Sequence, residues 1–401
     1  MGFFQFVSRT NKRDLRVTIL FINQFFSPDE AATAQMLGDV VAEADCEISI
    51  ICGGASYAGG AAKPIEGLVI QRVKTPGFGH GRLRKIWSYG GFFLGALAAA
   101  LRIRRPDVIV TMTTPPLLGL IGLAVQRLRG SRHFIWEMDV YPDIATELGL
   151  LREGGWADRV VGFLADLPRR KADGVIALGP CMAARLERRG MDPRRIHICH
   201  NWADGTSITP KPFMQDGRVK VLYSGNFGLA HDFDTVVQAL EVLGQDAGFE
   251  FVFSGGGPQF KRLKAICEEN GYSACRFQGF QPRDAVGELL GGCDVGLVTQ
   301  KNGTQGAVVP SKMYGLMAAG RAVVYVGPAE ATPTYLIAEH EWGWRIANGD
   351  ADGLVWRLRQ LRDQPECYRE AGQRARVAFE ENYDLRIGVP RLLAVIGGAA
   401  K

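Results

Sequence analysis

Two successive series of strand-like runs, each run followed by a longer helical segment, constrain the fold of this 401-residue chain most strongly. The first series has runs at residues 17–22, 47–52, 68–73, 107–112, 133–138, 174–178 and 195–200. The second has runs at residues 220–225, 250–255, 276–280, 294–298 and 322–326. Apolar strands that alternate with helices predict a parallel sheet covered by helices on both faces. We therefore predict an α/β protein with two doubly wound domains.

The two series meet in a stretch with prolines and charges at residues 203–217, where a linker is expected. The chain also exceeds the length that one typical core can organise. We place one domain at 1–203, a second at 204–375, and a C-terminal helix at 376–401 that crosses back to the first domain. Open α/β sheets bind ligands beyond the carboxyl ends of their strands, so the two domains are expected to face a cleft.

Composition excludes several classes of protein. Hydrophobic residues at 47% and charged residues at 22% are typical of globular proteins and exclude disorder. The eight cysteines have no CxxC spacing, and with no secretory signal visible they indicate reduced thiols in a cytoplasmic protein. The six histidines are dispersed, so we predict no metal and no cofactor. Basic residues are not interleaved with aromatic residues, which argues against nucleic-acid binding.

The net charge of +5 is unevenly placed. Arg82, Arg84 and Lys85 precede an apolar segment at 86–101, and three arginines follow within 102–105. This segment falls short of the roughly 20 residues that a membrane span needs. One interpretation is a helix on an anionic membrane surface, which would place the protein peripherally at the inner face of the cytoplasmic membrane. The other is a core helix with snorkelling basic ends.

The stretch VVPSKMYGLMAAGRAVV at 308–324 predicts a helix followed by a strand. Ser311 lies where an N-cap is expected, and its hydroxyl can accept a hydrogen bond from the first turn. Lys312 follows, so a cation stands beside a helix N-terminus, which is a favourable place for phosphate. The alternative is an ordinary buried helix with one basic residue near its start.

Glycine-rich loops follow two strands of the second series. YSGNFGLAHDFD contains Gly225, Asn226 and Gly228, and FSGGGPQF contains Gly256 and Gly257. The glycines let the backbone approach a ligand or adopt unusual torsions. Neither loop matches the dinucleotide or P-loop motif. Because parallel strands end at one edge of a sheet, these loops and Ser311-Lys312 are expected to form one diphosphate pocket.

In the first half, WEMDVYPD follows a strand with three acids, Glu137, Asp139 and Asp143. A carboxylate at a strand end that faces the cleft can orient or deprotonate a hydroxyl, and we assign this role to Asp139. The alternatives are a turn-forming residue before Pro142 or an N-cap for the next segment.

These segments resemble glycosyltransferase family 4, whose members have the two-domain GT-B architecture. The resemblance rests on four segments of the second half: YSGNFGLAHDFDTVV, FVFSGGGPQFKRL, FQGFQPRDAVGELLGGCDVGLV and VVPSKMYGLMAAGRAVV. INQFFSPDEAATAQM and WEMDVYPDIATELGLL extend it to the first half. It points to the branch that builds bacterial O-antigen, lipopolysaccharide and other exopolysaccharides on lipid carriers.

The resemblance implies transfer of a sugar from a nucleoside diphosphate sugar to a hydroxyl of a saccharide or polyprenyl-linked acceptor, with retention and without a metal. UDP-sugars are favoured over GDP-sugars. We assign catalytic roles to Asp139 and Lys312, and an acceptor side to Phe25, Ser27 and Asp139; the cleft histidine of the family has no match here, and Met138 or Asp139 stands near its place. The donor-binding residues that the resemblance implies are Gly225, Asn226, Gly228, Gly256, Gly257, Gly279, Phe280, Gln281, Gln305, Ser311 and Lys312.

The sequence departs from the family pattern at two glutamates of the donor site. The second position falls on Gly315 and the first on Gln305 or Ala307, and neither is a glutamate. Two alternatives therefore remain open: a GT-B nucleotide-sugar epimerase, and a binding protein on a decayed transferase frame.

Overall fold

The computed structural model describes residues 17–29, 31–54, 68–73, 82–213 and 217–398, with side chains from residue 89 onward in the helix that begins at Arg82. Across these residues the strands form two separate sheets, of seven and six strands, and every strand pairing is parallel. The prediction of two doubly wound α/β domains is confirmed.

The first sheet has the order β3-β2-β1-β4-β5-β6-β7. Its strands are β1 (Thr18–Ile22), β2 (Glu47–Gly53), β3 (Val69–Val73), β4 (Val108–Met112), β5 (Arg132–Trp136), β6 (Gly174–Ala177) and β7 (Ile196–Ile198). Its helices are α1 (Ala32–Glu43), α2 (Arg82–Arg102), α3 (Gly119–Arg129), α4 (Asp143–Glu147), α5 (Trp156–Lys171) and α6 (Pro180–Arg188).

The second sheet has the order β10-β9-β8-β11-β12-β13. Its strands are β8 (Val219–Asn226), β9 (Phe249–Gly256), β10 (Cys275–Gln278), β11 (Val295–Thr299), β12 (Ala322–Val326) and β13 (Gly343–Ile346). The helices are α7 (Asp234–Leu243), α8 (Pro258–Glu269), α9 (Val286–Gly291), α10 (Lys312–Ala318), α11 (Thr332–His340), α12 (Ala351–Asp363), α13 (Pro365–Asn382) and α14 (Leu385–Ile396).

The strand order reverses beside β1 in the first sheet and beside β8 in the second, and these switch points are where open sheets leave a crevice. The strands next to them, β4 and β11, are buried along their whole length, as is β12. Their Val, Ile and Leu side chains meet helices on both faces, which is why these runs do not alternate with polar residues.

The two domains are joined twice. The chain passes from β7 to β8 through residues 199–218, and it returns after α13, where Ala203 forms a bridge with Asp384. The last helix, α14, then packs against α1 of the first domain, and Leu392 and Leu393 share a core with Phe21. The part of the C-terminal region that lies on the first domain therefore begins at Leu385, nine residues after the predicted start.

The described part of α2 packs its apolar face on the first sheet. Phe92, Ala96 and Ala100 are buried in one cluster with Leu20 and Ile51. Residues 89–102 thus behave as the core-helix interpretation expects. The side chains of Arg82, Arg84 and Lys85 lie outside the described residues. No helix in the described part of the chain is both long and apolar enough to span a bilayer.

Candidate functional site

The side chain of Lys312 reaches across the carboxyl edge of the second sheet. Its Nζ donates a hydrogen bond to the hydroxyl of Tyr223 at 2.6 Å and lies 4.2 Å from the centre of that ring. His231 Nε2 is 3.4 Å away, and the main-chain oxygen of Asn226 is 3.5 Å away. Three elements, β8, the loop after it and α10, therefore meet at one ammonium group.

Every one of these partners is neutral. No carboxylate of the described residues forms an ion pair with Lys312. Asp232, the nearest acid in the β8–α7 loop, instead accepts hydrogen bonds from the first turn of α7 and from Asn348. Because burial disfavours the charged form, the pKa of Lys312 falls to about 7. An anion placed here would restore the charged state.

The protonation of His231 follows from its surroundings. Its Nδ1 lies 2.7 Å from the main-chain oxygen of Thr299, so Nδ1 bears the proton and donates to that oxygen. Nε2 is then free to accept from Lys312. Burial, together with the adjacent ammonium, lowers the pKa of His231 to about 3, so the imidazole is neutral. Tyr223 also stays neutral, because burial raises its pKa well above the usual value.

Glycines at the ends of the paired strands β8 and β9, where the predicted loops begin, are in close backbone contact beside Lys312. Gly225, Gly255 and Gly257 have φ values of +124°, +141° and +128°, in the region that favours glycine. A Cβ at Gly255 would lie 1.9 Å from the oxygen of Gly225, and one at Gly225 would lie 3.4 Å from Lys312 Cε. The contact at Gly255 leaves no space for a side chain, whereas at Gly225 the distance is ordinary van der Waals contact and it is the positive φ that favours glycine. Gly228, in contrast, has an ordinary φ, so the unusual torsion expected there is not adopted.

The loop after β10 lies against the loop after β9. Ser254 donates to the main-chain oxygen of Gly279 at 3.1 Å, and the Gln281 amide donates to the same oxygen at 3.2 Å. The Phe280 ring covers Gly256, where a Cβ would lie 2.9 Å from the ring. Phe280 is nevertheless 63% exposed, so its ring offers an apolar surface to solvent beside the ends of β9 and β10.

Two predicted donor residues, Ser311 and Gln305, have local contacts that the sequence did not indicate. Ser311 occupies the N-cap position of α10, but its backbone is already helical and its side chain caps no amide, so the capping prediction is wrong. An N-cap side chain reaches the first turn from an extended backbone, which Ser311 lacks. The main-chain oxygen of Gln305 accepts a hydrogen bond from Arg185 Nε of the first domain at 3.0 Å, while its side-chain oxygen is buried and has no hydrogen-bond partner among the described residues.

The three acids of WEMDVYPD have separate environments. Glu137 is fully buried and forms a two-bonded ion pair with Arg169, at 2.6 and 3.0 Å. Asp143 pairs with Arg185 and Arg189. Of the three, Asp139 is the one without a cation among the described residues, and burial with the nearby Glu137 charge raises its pKa to about 6. Because ion pairs engage both carboxylates, we infer that Glu137 and Asp143 stabilise the folded protein.

Asp139 lines a recess where β4 and β5 end. The recess has a volume of about 20 Å³, which leaves room for about one water molecule or hydroxyl group. The hydroxyl of Thr113 fixes the loop by accepting from the main-chain nitrogens of Met138 and Asp139 at 3.0 and 3.1 Å. Phe25 and Ser27 lie in the loop after β1, where the main-chain oxygen of Ser27 accepts from Arg72 at 2.5 Å.

The loop that leads into Lys312 and α10 contacts the first domain. The amide of Val140, next to Asp139, donates to the oxygen of Ala307 at 2.8 Å. Arg185 of α6 donates to the oxygen of Gly303 at 2.6 Å. Asp139 and Lys312 therefore lie on the two sides of one interdomain junction. In the described parts of the chain, no group of three or more His, Cys, Asp or Glu side chains could hold a metal ion.

Two family models match consecutive parts of this chain. The Glycosyl transferase 4-like domain matches residues 31–202, and the Glycosyl transferases group 1 domain matches residues 206–378. The chain belongs to glycosyltransferase family 4. Its two sheets, with the helices that cover them, form the GT-B architecture that this membership implies.

Individual relatives agree with this assignment. The glycosyltransferase is 25% identical over 313 residues to the probable glycosyltransferase WbjE of Pseudomonas aeruginosa, covering 76% of this chain and 78% of WbjE. It is 26% identical to WcaI of Escherichia coli K12, a putative colanic acid biosynthesis glycosyl transferase, covering 62% and 64%. The fold matches that of Anabaena HepE, crystallised with UDP-glucose, with a TM-score of 0.71, 16% identity and coverage of 95% and 100%.

Sequence reasoning missed two parts of the glycosyltransferase site. Tyr223, the main partner of Lys312, reads in sequence as an ordinary strand residue. Thr113 sits in a short polar stretch after β4, at the same sheet edge as Asp139. The signal available in the sequence was that each residue lies close to the carboxyl end of a strand.

Proposed function

We propose that this glycosyltransferase transfers a sugar from a nucleoside diphosphate sugar to a hydroxyl of a carrier-linked saccharide, with retention, in the synthesis of a cell-surface polysaccharide. A UDP-sugar is the proposed donor. The observation on which this rests most is the ammonium of Lys312, which has only neutral partners and stands beside the glycine ends of β8 and β9. A diphosphate is the ligand that this arrangement suits in charge and in space.

On the donor side, Lys312 would stabilise the charge that develops on the departing diphosphate. A positioned cation in a site of low dielectric is effective for this purpose, and it performs the task without a metal. Gly225 and Gly255 would let the phosphates approach the backbone. The loop at Gly279–Gln281 would hold the base, with Phe280 beside it.

On the acceptor side, Asp139 would orient the reacting hydroxyl. Its pKa of about 6 keeps it ionised at neutral pH and makes it a stronger base than an ordinary aspartate. Phe25 and Ser27 would line the same side. Two relatives support this proposal by what their names state: WcaI for colanic acid biosynthesis, and HepE for its complex with UDP-glucose.

A thermal-shift screen against UDP, GDP, ADP, TDP and CMP tests the donor. A ligand at 100 times its dissociation constant stabilises the folded state by about 2.7 kcal/mol, which raises the melting temperature by several degrees. We expect UDP to give the largest shift. Lys312→Ala should abolish it, while Lys301→Ala, an exposed lysine in the same loop, should retain it.

An activity assay with and without an acceptor, together with this screen, separates the alternatives. Sugar transfer that requires an acceptor supports the proposal. Conversion of the donor sugar in the absence of any acceptor would identify an epimerase instead. A complete lack of shift with all five nucleotides would contradict nucleotide binding at this pocket.

A further inference from the structure

Helix α5 presents a stripe of large apolar side chains to solvent. Trp156 is 81% exposed, Val160 48% and Phe163 64%. Half-buried Leu167 continues the row, so the spacing of four, three and four residues keeps all of them on one face of the helix. No other helix or strand presents three exposed large apolar residues among the side chains that the structure describes. Contiguous exposed apolar surface of this kind indicates a docking site.

Basic side chains border the stripe. Arg159 and Arg170 lie on one side of it and Lys171 on the other, and all three are exposed. The acid in the helix interior, Asp166, is buried and is paired with Arg169, with Arg189 and, at 3.9 Å, with Arg170, so Arg159 and Lys171 are the bordering cations without a carboxylate partner among the described residues. Asp158, the other acid of α5, lies on the far side of the helix, where it accepts a hydrogen bond from the amide of Gly154.

The stripe lies at the rim of the cleft. A Cβ at Gly119, at the start of α3, would lie 3.0 Å from Pro168, which places the last third of α5 at the carboxyl edge of the first sheet. Trp156 is twelve residues earlier, roughly 18 Å farther along the helix at 1.5 Å per residue. Gly162, between them, faces Pro142 of the loop that follows Asp139. The exposed half of α5 therefore projects past the strand ends beside the Asp139 recess.

We propose that this face of α5 docks the protein onto a membrane surface that contains anionic phospholipid. Trp and Phe side chains enter the interfacial region, and the bordering cations meet the lipid phosphates. The charge pattern favours lipid over a second copy of the chain, because two stripes packed face to face would bring like-charged borders together. This docking goes beyond the proposed transfer and does not require it, since binding is measured without substrates.

The test is co-sedimentation of the full chain with liposomes of phosphatidylcholine alone and with about one-third phosphatidylglycerol. We expect binding to the anionic liposomes, weakened by salt. Arg159→Glu/Lys171→Glu should weaken it by more than tenfold, because each cation near the surface contributes about fivefold. Lys261→Glu/Lys264→Glu, on α8 of the second domain, is the matched charge control and should bind like the wild type.

The apolar part of the proposal has its own control. Trp156→Ser/Phe163→Ser should lose anionic-liposome binding, whereas Trp356→Ser/Tyr335→Ser, which removes exposed aromatics elsewhere, should retain it. Brominated lipids should quench the wild-type fluorescence more than that of Trp156→Phe, which reports insertion of that ring. The altered side chains are exposed, and an unchanged melting temperature checks that the variants fold.

Three results would overturn the proposal. The first is failure of the wild type to bind anionic liposomes. The second is equal binding by the α5 variants and their controls, which would place the lipid contact elsewhere. The third is a concentration-dependent dimer that the Trp156→Ser/Phe163→Ser variant loses while liposome binding stays absent, which would identify the stripe as an interface between copies.

Discussion

The depressed pKa of Lys312 predicts that donor affinity depends on pH. Burial among Tyr223, His231 and Asn226 lowers this pKa from 10.5 to about 7, so the free protein holds the ammonium in only part of the population at neutral pH. A bound diphosphate stabilises the protonated form and raises the pKa. Binding must therefore take up a proton, and affinity must fall as the pH rises through 7.

The magnitude follows from the pKa. With a pKa near 7, the protonated fraction of Lys312 falls from about 0.9 at pH 6 to about 0.1 at pH 8. If the donor binds only the protonated form, its affinity falls about tenfold over this range, which corresponds to about 1.4 kcal/mol. Proton uptake on binding should rise in parallel, from about 0.1 at pH 6 to about 0.9 at pH 8.

Isothermal titration calorimetry with UDP-glucose measures both quantities. Its diphosphate is esterified at both ends and does not titrate in this range. Titrations in two buffers of different ionisation enthalpy give the number of protons taken up. His231, with its pKa of about 3, contributes nothing to the change. Lys312→Arg is the control, since its guanidinium stays charged at every pH used.

The expected result is a tenfold loss of affinity from pH 6 to pH 8 for the wild type and a flat profile for Lys312→Arg. A wild-type affinity that is constant over this range, without proton uptake, would refute the argument. In that case Lys312 is either fully charged before the donor arrives or does not contact the diphosphate.

Three further perturbations test other parts of the site. Glu137→Gln should lower the free energy of unfolding by about 3–5 kcal/mol in denaturant titrations, because it leaves Arg169 buried without its main partner; a loss below about 1 kcal/mol would contradict this structural role. Asp139→Asn should slow transfer by about 10²-fold or more while donor binding persists. The wild-type rate should also rise with pH through about 6 as the Asp139 carboxylate ionises, and a variant with wild-type rates would exclude it as the acceptor-side base. Gly255→Ala should weaken UDP binding in thermal-shift titrations, because its methyl group collides with the Gly225 oxygen. Unchanged binding would show that the ends of β8 and β9 need not lie so close together.

Much of the proposed donor site could be predicted from sequence because it depends on local patterns. Each glycine-rich loop directly follows a strand, and parallel strands end at the same edge. Gly225 and Lys312, which are 87 residues apart, could therefore be placed together before any contact was known. Their actual approach, 3.4 Å from a Cβ at Gly225 to Lys312 Cε, agrees with that placement.

What sequence could not supply depends on distant partners. Glu137 and Asp139 are equivalent in the pattern, and Arg169, 32 residues after Glu137, is what separates a structural acid from one without a cation. The low pKa of Lys312 likewise arises from tertiary burial. Strand β13 was missed because GWRI has no β-branched run and its residues are only partly buried at the sheet edge.

The choice of a membrane-facing helix also depends on contacts between residues that are distant in sequence. Sequence marked the basic-flanked α2 as one candidate, because its apolar residues and charges stand out along the chain. In the structure, Phe92 and Ala96 of that helix belong to the core, whereas α5 exposes Trp156 and Phe163. Which apolar stripe remains uncovered depends on how the helices pack, and periodicity alone does not determine it.

A crystal structure of the protein with its nucleoside diphosphate sugar tests the central claim most directly. The account predicts that Lys312 Nζ lies about 2.7–2.9 Å from a diphosphate oxygen, the usual distance for a charge-assisted hydrogen bond, with the phosphates beside Gly225. It would be contradicted by a donor bound elsewhere in the cleft while Lys312 still donates to Tyr223 and makes no contact with phosphate.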